Sequence, residues 1–195
     1  MTYDDLPGLM TRMTGDEKHA PSATSTLDVL WVAYDRILHV TPSTASDADR
    51  DHLLEFVRPR HRMTLVTTRR DGHLQVSPVT GGVDDEGRIV ISTYPDRAKA
   101  VNLRRNATAS VLVHSDDWGG PYVQVDGTAA VLDMPNESTE DALVEYFRGI
   151  SGEHPDWNEY REAMRRQGKS LIRITIDNWG PIATGGFPPD RAPKG

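Results

Sequence analysis

The chain of 195 residues contains no cysteine. This excludes disulfides, thiolate catalysis, zinc sites built on cysteine and iron–sulfur clusters held by cysteine, so any redox chemistry has to come from a bound cofactor. The chain also lacks an apolar run near the roughly 20 residues that a membrane helix needs. Its N-terminal segment, MTYDDLPGLM, is acidic, whereas a signal peptide begins with basic residues. We therefore expect a cytoplasmic protein with no membrane partner.

A net positive charge is lacking as well. The formal net charge is −7 and the isoelectric point is about 5.4, which argues against a sequence-independent nucleic-acid binder. Positive charge is nevertheless concentrated between residues 58 and 73, where a single acid, Asp71, accompanies Arg58, Arg60, Arg62, Arg69 and Arg70. An anionic small molecule explains this local basic patch better than DNA does.

Common catalytic and metal-binding motifs are absent too. The sequence contains no GxGxxG or GxxxxGK[ST] phosphate motif, no GxSxG nucleophile motif, and no HxH or HExxH spacing among its 7 histidines. We therefore predict no metal site and assign no catalytic residue.

The segment 89–106, IVISTYPDRAKAVNLRRN, carries the strongest local signal. It opens with three β-branched apolar residues, which is typical of a strand covered on both faces. Pro95 fits the first position of a helix, and Arg97 and Lys99 then fall in its opening turn. Cations there oppose the helix dipole, at a cost of about 0.3 kcal/mol or more each, unless an anion binds. Two interpretations stay open: a phosphate site, or solvated surface cations.

Six segments have the pattern of strands and four have the spacing of helices. The strands are MTLVTT, HLQVSPVTGG, RIVIST and residues 108–114, 122–132 and 171–176; the helices are about 49–57, from Pro95 onward, 138–150 and 156–166. The first three strands, joined by the turns RRDG and DDEG, predict an antiparallel meander. Gly127 within the fifth strand predicts a bulge or bend. The predicted fold is a small antiparallel β-barrel with helices, of the α+β class.

The first 47 residues differ in character from the rest. Residues 27–40 have one apolar face and predict a helix, and residues 41–49, TPSTASDAD, have the small polar composition of a linker. We therefore predict an N-terminal helical extension over residues 1–47, a main domain over 48–190 and a tail over 191–195.

Two further positions admit a binding role. The proline in the strand-like run QVSPV cannot donate to a sheet ladder, so the run is either an edge strand or a surface for a flat heteroaromatic ring. Such a ring would lie against Gln75, Ser77, Pro78 and Val79. Trp118 lies in the Gly-rich turn DDWGGP, which suits a lid, a ligand stack, a dimer contact or simple packing.

Five long stretches carry a family resemblance: FVRPRHRMTLVTTRRDGHLQVSPV, YPDRAKAVNLRRNATASVLV, SDDWGGPYVQVDGTAAV, SGEHPDWNEYREAM and LIRITIDNWGPIATGGFP. Through them the chain, from about residue 52 to 188, resembles the flavin/deazaflavin oxidoreductases of the split β-barrel class, within the pyridoxamine phosphate oxidase-like superfamily. It is most similar to the actinobacterial branch described as coenzyme F420-dependent. The resemblance implies a six-stranded antiparallel split β-barrel like that of FMN-binding proteins. It also implies a homodimer with the cofactor in a groove at the subunit interface.

The resemblance further implies three groups of cofactor-binding residues. The phosphate would bind to Arg97, Lys99 and Asn102. The ring would lie against Gln75, Ser77, Pro78, Val79, Ile91, Thr93 and Trp118. The acidic oligoglutamate tail of F420 would face Arg58, Arg60 and Arg69.

The N-terminal stretch GDEKHAPSATSTLDVLWVAYDRILHVTPSTASDADRD is similar to the start of the thiamine-diphosphate domain of transketolase-like proteins. His19 falls at the place of the histidine in their Gly-His-Pro-Gly stretch. The Gly-Asp-Gly segment that such an enzyme uses for its diphosphate is absent. We therefore expect this fragment to supply a helix and no transketolase activity.

As a function, the resemblance implies an F420-dependent oxidoreductase that transfers a hydride between the reduced deazaflavin and a small conjugated or heterocyclic substrate. Two alternatives stay open. One is an FMN-dependent oxidoreductase that uses the same groove; because FMN ends at its phosphate, the tail-facing arginines would have no role in it. The other is a carrier or sensor that binds a flavin, deazaflavin or tetrapyrrole without turnover, and a turnover assay separates it from an enzyme.

Overall fold

A computed structural model describes residues 43–117, 119–186 and 190 of the chain. Four predicted features lie outside these residues: the helix over 27–40, His19 of the transketolase-like fragment, Trp118 and the tail over 191–195. The boundary between an N-terminal extension and a main domain, at residues 47 and 48, stays a prediction. None of the helices in the described ranges is long and apolar enough to cross a membrane.

The described residues form four helices and nine strands. The helices are α1 (Arg50–Val57), α2 (Ala98–Arg105), α3 (Glu137–Ser151) and α4 (Trp157–Gln167). The strands are β1 (Ala45–Ser46), β2 (Arg62–Thr68), β3 (Leu74–Thr80), β4 (Gly82–Val83), β5 (Ile89–Thr93), β6 (Thr108–His114), β7 (Tyr122–Asp133), β8 (Ser170–Trp179) and β9 (Ile182–Ala183). All six predicted strands are present, as are the four helices predicted within the described ranges, and β1, β4 and β9 are additional two-residue strands.

The strands form one antiparallel sheet that curls into a split barrel, as predicted. Its order is β3-β2-β6-β7-β8-β5-β4, and β9 pairs with both β7 and β1. Strand β3 lies at one end of this order, so the edge-strand interpretation of the QVSPV run is correct. An edge position tolerates Pro78, because it needs fewer ladder hydrogen bonds than a central one.

The predicted meander is wrong in its third strand. Strands β2 and β3 form a hairpin, but β5 pairs with β4 and β8 and not with β3. The DDEG turn brings β5 back against β4. Before β4 begins, the chain passes close to β2, since a Cβ at Gly81 would be 2.4 Å from the Met63 sulfur. This path takes β5 away from β3 and leaves a gap in the barrel wall between them.

The main core fills the barrel interior. Every second residue of β2 points inward, and Met63 and Leu65 are buried there together with Val111 of β6. Helices α1 and α2 add Leu53 and Leu103 to the same cluster. Burial of these alternate apolar residues fixes which face of each strand is inside, because a shift of one residue would turn them all outward.

A second cluster covers part of the barrel's outer surface. Val90 of β5 and Leu171 of β8 face outward and pack against α3 and α4, for example against Leu143 and Tyr160. The neighbours of Val90 in β5, Ile89 and Ile91, face the interior. Strand β5 is therefore covered on both faces, as its continuous apolar run predicted.

One buried carboxylate ties α3 to α4. Glu140 is 6% exposed and accepts hydrogen bonds of 2.6 Å from Nε and Nη2 of Arg165 and of 3.1 Å from Nη1 of Arg161. The Arg165 hydrogen bonds first, and those of Arg161 next, hold the pKa of Glu140 below its usual range although burial acts in the opposite direction. The two helices are thus fixed against one another as one wall.

Gly127 marks the point where β7 changes register. The pairing of β7 with β8 shifts between Asp126 and Gly127, which confirms the predicted irregularity. A Cβ at position 127 would lie 2.1 Å from the backbone oxygen of Thr175. The two backbones approach too closely for any side chain, and this explains the glycine.

We predict that Gly127→Ala lowers the free energy of unfolding by about 1 to 3 kcal/mol, because β7 and β8 have to separate to admit the methyl group. Chemical denaturation of the purified protein measures this. Gly149→Ala is the matched control, since nothing lies within 4 Å of a Cβ at that exposed position of α3. The control should be neutral or stabilising by up to about 1 kcal/mol. Equal stability of both variants would contradict the assigned close approach.

Candidate functional site

The gap between β3 and β5 opens as a groove of about 480 Å³, here named the split groove. It is bordered by Pro78 to Thr80 of β3, Ser92 of β5 and Lys99 of α2, and by side chains of α3, α4 and the turn that follows α4. The edge of β3 that faces away from β2 has no partner strand among the described residues. Its backbone groups are therefore available to a bound molecule.

Two tyrosines of the helical wall line the split groove. The Tyr146 hydroxyl donates to the Thr80 carbonyl oxygen over 3.0 Å, so it ties α3 to the end of β3 at the border of the gap. Burial raises the pKa of Tyr146. Burial also raises the pKa of Tyr160, and with the smaller effect of the neighbouring Tyr146 this pKa reaches about 12. Both hydroxyls are consequently protonated at neutral pH, and Tyr160 donates its proton to the Leu143 carbonyl oxygen over 3.0 Å.

Helix α2 begins later than its sequence pattern predicted. Arg97 is the N-cap residue and Ala98 is the first helical residue, whereas the prediction put Pro95 at the start. Residues Tyr94 to Arg97 form a turn instead, closed by a 3.2 Å hydrogen bond from the Arg97 N–H to the Tyr94 carbonyl oxygen. Proline suits the second position of such a turn as well as it suits a helix start, and the local sequence does not separate the two.

The start of α2 is positively charged and uncapped. The N-cap residue Arg97 makes no side-chain cap hydrogen bond within the described part of the chain, and no acidic residue lies in the first turn. Burial, and then the charge of Arg97, lowers the pKa of Lys99. Unpaired N–H groups of the first turn, the dipole and both cations thus favour the same kind of ligand, an anion. The residues present fit a phosphate group at this point.

Asn102 lies in a buried polar chain and not at the helix start. Its Nδ2 donates to Thr67 Oγ1 over 3.0 Å, Thr67 Oγ1 donates to Gln75 Oε1 over 3.0 Å, and Gln75 Nε2 donates to Ser77 Oγ. Thr67 and Asn102 are 1% and 6% exposed. We call these four residues the polar chain. It connects α2 to the hairpin of β2 and β3, so it fixes the charged helix start relative to the edge strand.

The predicted ring-contacting residues do not share one surface. Gln75, Ser77 and Val79 point toward the barrel interior, whereas Pro78 points outward. Ile91 is packed in the main core and Thr93 is buried. A flat ring against β3 would therefore meet the backbone edge of the strand, with Ile91 and Thr93 behind the surface, and could not contact all four β3 side chains together.

The arginines expected to face an acidic tail are dispersed. Arg58 lines a different groove together with Asp84 and Glu86, and Arg60 lies over the Phe56 ring at 3.8 Å. Arg69 borders a groove of about 790 Å³ beside α2, where its neighbours include Arg70, Arg105, Asp71 and Asp96. Short sequence distance between arginines does not bring their side chains together, because β2 and its flanking turns carry them to different sides of the barrel.

The groove residues that were not found from the sequence include Tyr146, Tyr160, Gln167 and Lys169. They come from α3, α4 and the turn after α4 and meet the strands only through the fold, so no linear spacing signals them. Among the described residues, no group of three or more His, Asp or Glu side chains is arranged to hold a metal ion.

Comparisons with known proteins agree with this architecture. The family described as pyridoxamine 5'-phosphate oxidase matches residues 50–183. A curated relative, ferredoxin fas2 of Rhodococcoides fascians, is 57% identical over 53 residues, which are 27% of this chain. The chain spans 17% of the length of that relative.

Solved structures with a similar fold have different described roles. The conserved hypothetical protein Rv2991 of Mycobacterium tuberculosis superposes with a TM-score of 0.61 at 23% identity, over 73% of this chain and 89% of that one. A structure described as an F420 reductase gives 0.50 at 18% identity, over 65% and 94% of the two chains. The heme storage protein HutZ of Vibrio cholerae gives 0.53 at 18% identity, over 70% and 95%. At these identities the likeness concerns the fold.

We predict that Thr67→Val lowers the free energy of unfolding by about 1 to 3 kcal/mol, because it removes the central hydroxyl of the polar chain and leaves buried amide groups without a partner. Chemical denaturation measures the change. Thr68→Val is the control, because no side-chain hydrogen bond of Thr68 is seen within the described ranges. A double-mutant cycle with Asn102→Ala should give a coupling energy of about 0.5 kcal/mol or more. Additive effects would show that Asn102 and Thr67 act independently.

Proposed function

Because the chain belongs to the pyridoxamine 5'-phosphate oxidase family, we propose that it is an oxidoreductase that binds coenzyme F420 at the split groove. In this proposal it transfers a hydride between the reduced deazaflavin and a small conjugated or heterocyclic organic substrate. Members of such a split-barrel family bind flavins or related cofactors, and a solved structure with this fold is described as an F420 reductase.

One observation carries the proposal: the start of α2 combines Arg97, Lys99 and uncapped N–H groups without an acid in the first turn. Two cations that repel one another, one of them partly buried, destabilise the free protein slightly, and a bound phosphate reverses this effect. The family relationship turns the phosphate site from one of two open interpretations into the preferred one.

The remaining groove residues suit a flat ring. The free backbone edge of β3 supplies hydrogen-bonding groups, and the aromatic side chains of Tyr146, Phe147 and Tyr160 exclude water from the opposite side. When bound, the reduced deazaflavin supplies the hydride, so the protein has to provide position and a dry surface. We name no catalytic residue, since the hydroxyls of Tyr146 and Tyr160 are both engaged with backbone carbonyl oxygens.

FMN is the second candidate cofactor, and the dispersed arginines favour it. Of the three arginines proposed to face the F420 tail, Arg69 borders a groove next to α2, whereas Arg58 and Arg60 do not. FMN needs the phosphate site and the ring surface and nothing beyond them. A carrier without turnover is the remaining alternative, and the similar fold of a heme storage protein keeps it open.

A second copy of the chain is the proposed partner. The outward side chains of β3 are exposed, and Leu74 and Val76 keep 66% and 59% of their surface in solvent. Further along this surface a groove of about 860 Å³ runs from Pro78 to Tyr122, which is itself 38% exposed. Exposed apolar side chains that follow a strand edge are typical of an interface. We propose that this face forms the homodimer contact and that the cofactor lies at its border.

We predict that Lys99→Glu weakens the binding of whichever cofactor is correct by about 2 kcal/mol or more, which is roughly 30-fold, because a charge-assisted contact is replaced by repulsion. Fluorescence titration with F420 and, separately, with FMN measures the affinity. Arg166→Glu makes the same charge change at an exposed position of α4 and serves as the control.

The titrations and a turnover assay each test one part of the proposal. Tight binding of FMN without binding of F420 would overturn the F420 assignment, and unchanged affinity in Lys99→Glu would overturn the phosphate site. If the loaded protein reduces no acceptor in a panel of conjugated and heterocyclic compounds, the carrier alternative is correct.

We predict that Val76→Glu converts the protein from a dimer to a monomer, because a charge would be buried at the proposed contact. Light scattering coupled to size-exclusion chromatography gives the mass. The control Val101→Glu places the same charge at an exposed valine of α2, outside the strand face, and should stay dimeric. A monomeric wild type, or a dimeric Val76→Glu protein, would contradict the proposed interface.

A further inference from the structure

Lys169 is a cation of the split groove that lies far in the sequence from Arg97 and Lys99. It follows Gly168, which ends α4 in the left-handed conformation at φ 58°. The Lys169 N–H donates to the Met164 carbonyl oxygen over 3.3 Å, and the Lys169 carbonyl oxygen accepts from the Met134 N–H over 3.2 Å. Because its backbone is held from both sides, the position from which the lysine side chain enters the groove is fixed.

The ring of Tyr94 holds Lys169 next to the start of α2. The Lys169 Nζ lies 3.8 Å from the ring centroid, and the Arg97 guanidinium carbon lies 5.9 Å from the same centroid. The Tyr94 hydroxyl also donates to Gln167 Oε1 over 3.2 Å, which ties the ring to the end of α4. One aromatic ring therefore brings together two cations from distant parts of the chain.

Lys99 and Lys169 both border the split groove, and none of the described residues that line it is acidic. The charge of Arg97 acts on Lys99 and lowers its pKa, and the Tyr94 ring makes cation–π contacts with Arg97 and Lys169. An anion of more than one charge that enters the split groove beside the start of α2 would meet both Lys99 and Lys169.

We propose that Lys169 is a third phosphate-site cation, positioned by Tyr94, and that the split groove therefore selects ligands carrying at least two negative charges at this end. A phosphate monoester meets this requirement, and so does a phosphate diester followed by a carboxylate. The inference rests on the proposed function, because it deepens the same cofactor site. Its consequence is that the phosphorylated end, more than the ring, sets the affinity.

Two ligand pairs test the inference, because their members share a ring and differ in charge. Riboflavin is FMN without its phosphate, and the deazaflavin FO is F420 without its phosphate and tail. The measured quantity is the ratio of affinities within a pair, obtained by fluorescence titration. A general loss of folding or of ring contacts changes both members alike and leaves the ratio unchanged.

We predict that Lys169→Gln lowers the ratio for the correct cofactor pair about fivefold, through loss of one partly exposed charge contact. Arg166→Gln, which removes a positive charge from an exposed position near the end of α4, should leave the ratio within about twofold. Tyr94→Phe keeps the ring and should behave like the wild type, whereas Tyr94→Leu should reproduce the effect of Lys169→Gln. If Lys169→Gln lowers the ratio of FMN to riboflavin affinity, the ligand is the phosphate monoester. If it lowers the ratio of F420 to FO affinity, the ligand is the phosphate diester with carboxylates.

An unchanged ratio in Lys169→Gln would overturn the inference, and so would equal losses in Lys169→Gln and Arg166→Gln. Failure of the proposed function has a different result: wild type then binds neither FMN nor F420. In that case inorganic pyrophosphate, titrated calorimetrically, tests Lys169 alone. Weaker pyrophosphate binding in Lys169→Gln than in Arg166→Gln would support the third cation, and no binding to wild type would overturn it.

Discussion

The edge of β3 that faces away from β2, which pairs with no strand in the described ranges, is the constraint on which the rest of the structure depends. In a closed barrel every strand would have two neighbours, and no backbone group would be left for a ligand. Here β5 pairs with β4 and β8, so the wall stays open between β3 and β5. Three sets of contacts hold the opening in shape. The Tyr146 hydroxyl ties α3 to β3, the polar chain from Asn102 to Ser77 fixes α2 against β3, and the Glu140 hydrogen bonds fix α3 against α4.

The parts of this structure that were predictable from the sequence are those decided by local patterns. Strand patterns located β2 and β6, the apolar run of β5 identified a strand buried on both sides, and Gly127 identified the irregularity in β7. Strand pairing was not predictable in the same way, because the partner of β5 lies on β8, far along the chain. The meander was therefore wrong, although each of its strands was correctly found.

Functional residues show the same division between local and long-range information. The charge and dipole argument at Arg97 and Lys99 needs only neighbouring residues, and it located the uncapped helix start to within one turn. The role of Asn102, the dispersal of Arg58, Arg60 and Arg69, and the arrival of Lys169 at Tyr94 all depend on how distant elements pack. Site residues that act through tertiary contacts leave no spacing in a single sequence.

Under the proposed function, F420 and FMN would use the same ring surface and the same helix start, so the choice between them would depend on contacts beyond the phosphate. The groove beside α2 is bordered by Arg69, Arg70 and Arg105 together with two aspartates. Arg69 already pairs with Asp71 over 3.1 Å, but both side chains are about half exposed. An exposed ion pair contributes about 1 kcal/mol or less, so a carboxylate tail could replace Asp71 at little cost. The dispersal of Arg58 and Arg60 therefore weakens the F420 assignment without removing its basis, since a smaller group of arginines next to α2 still suits an acidic tail.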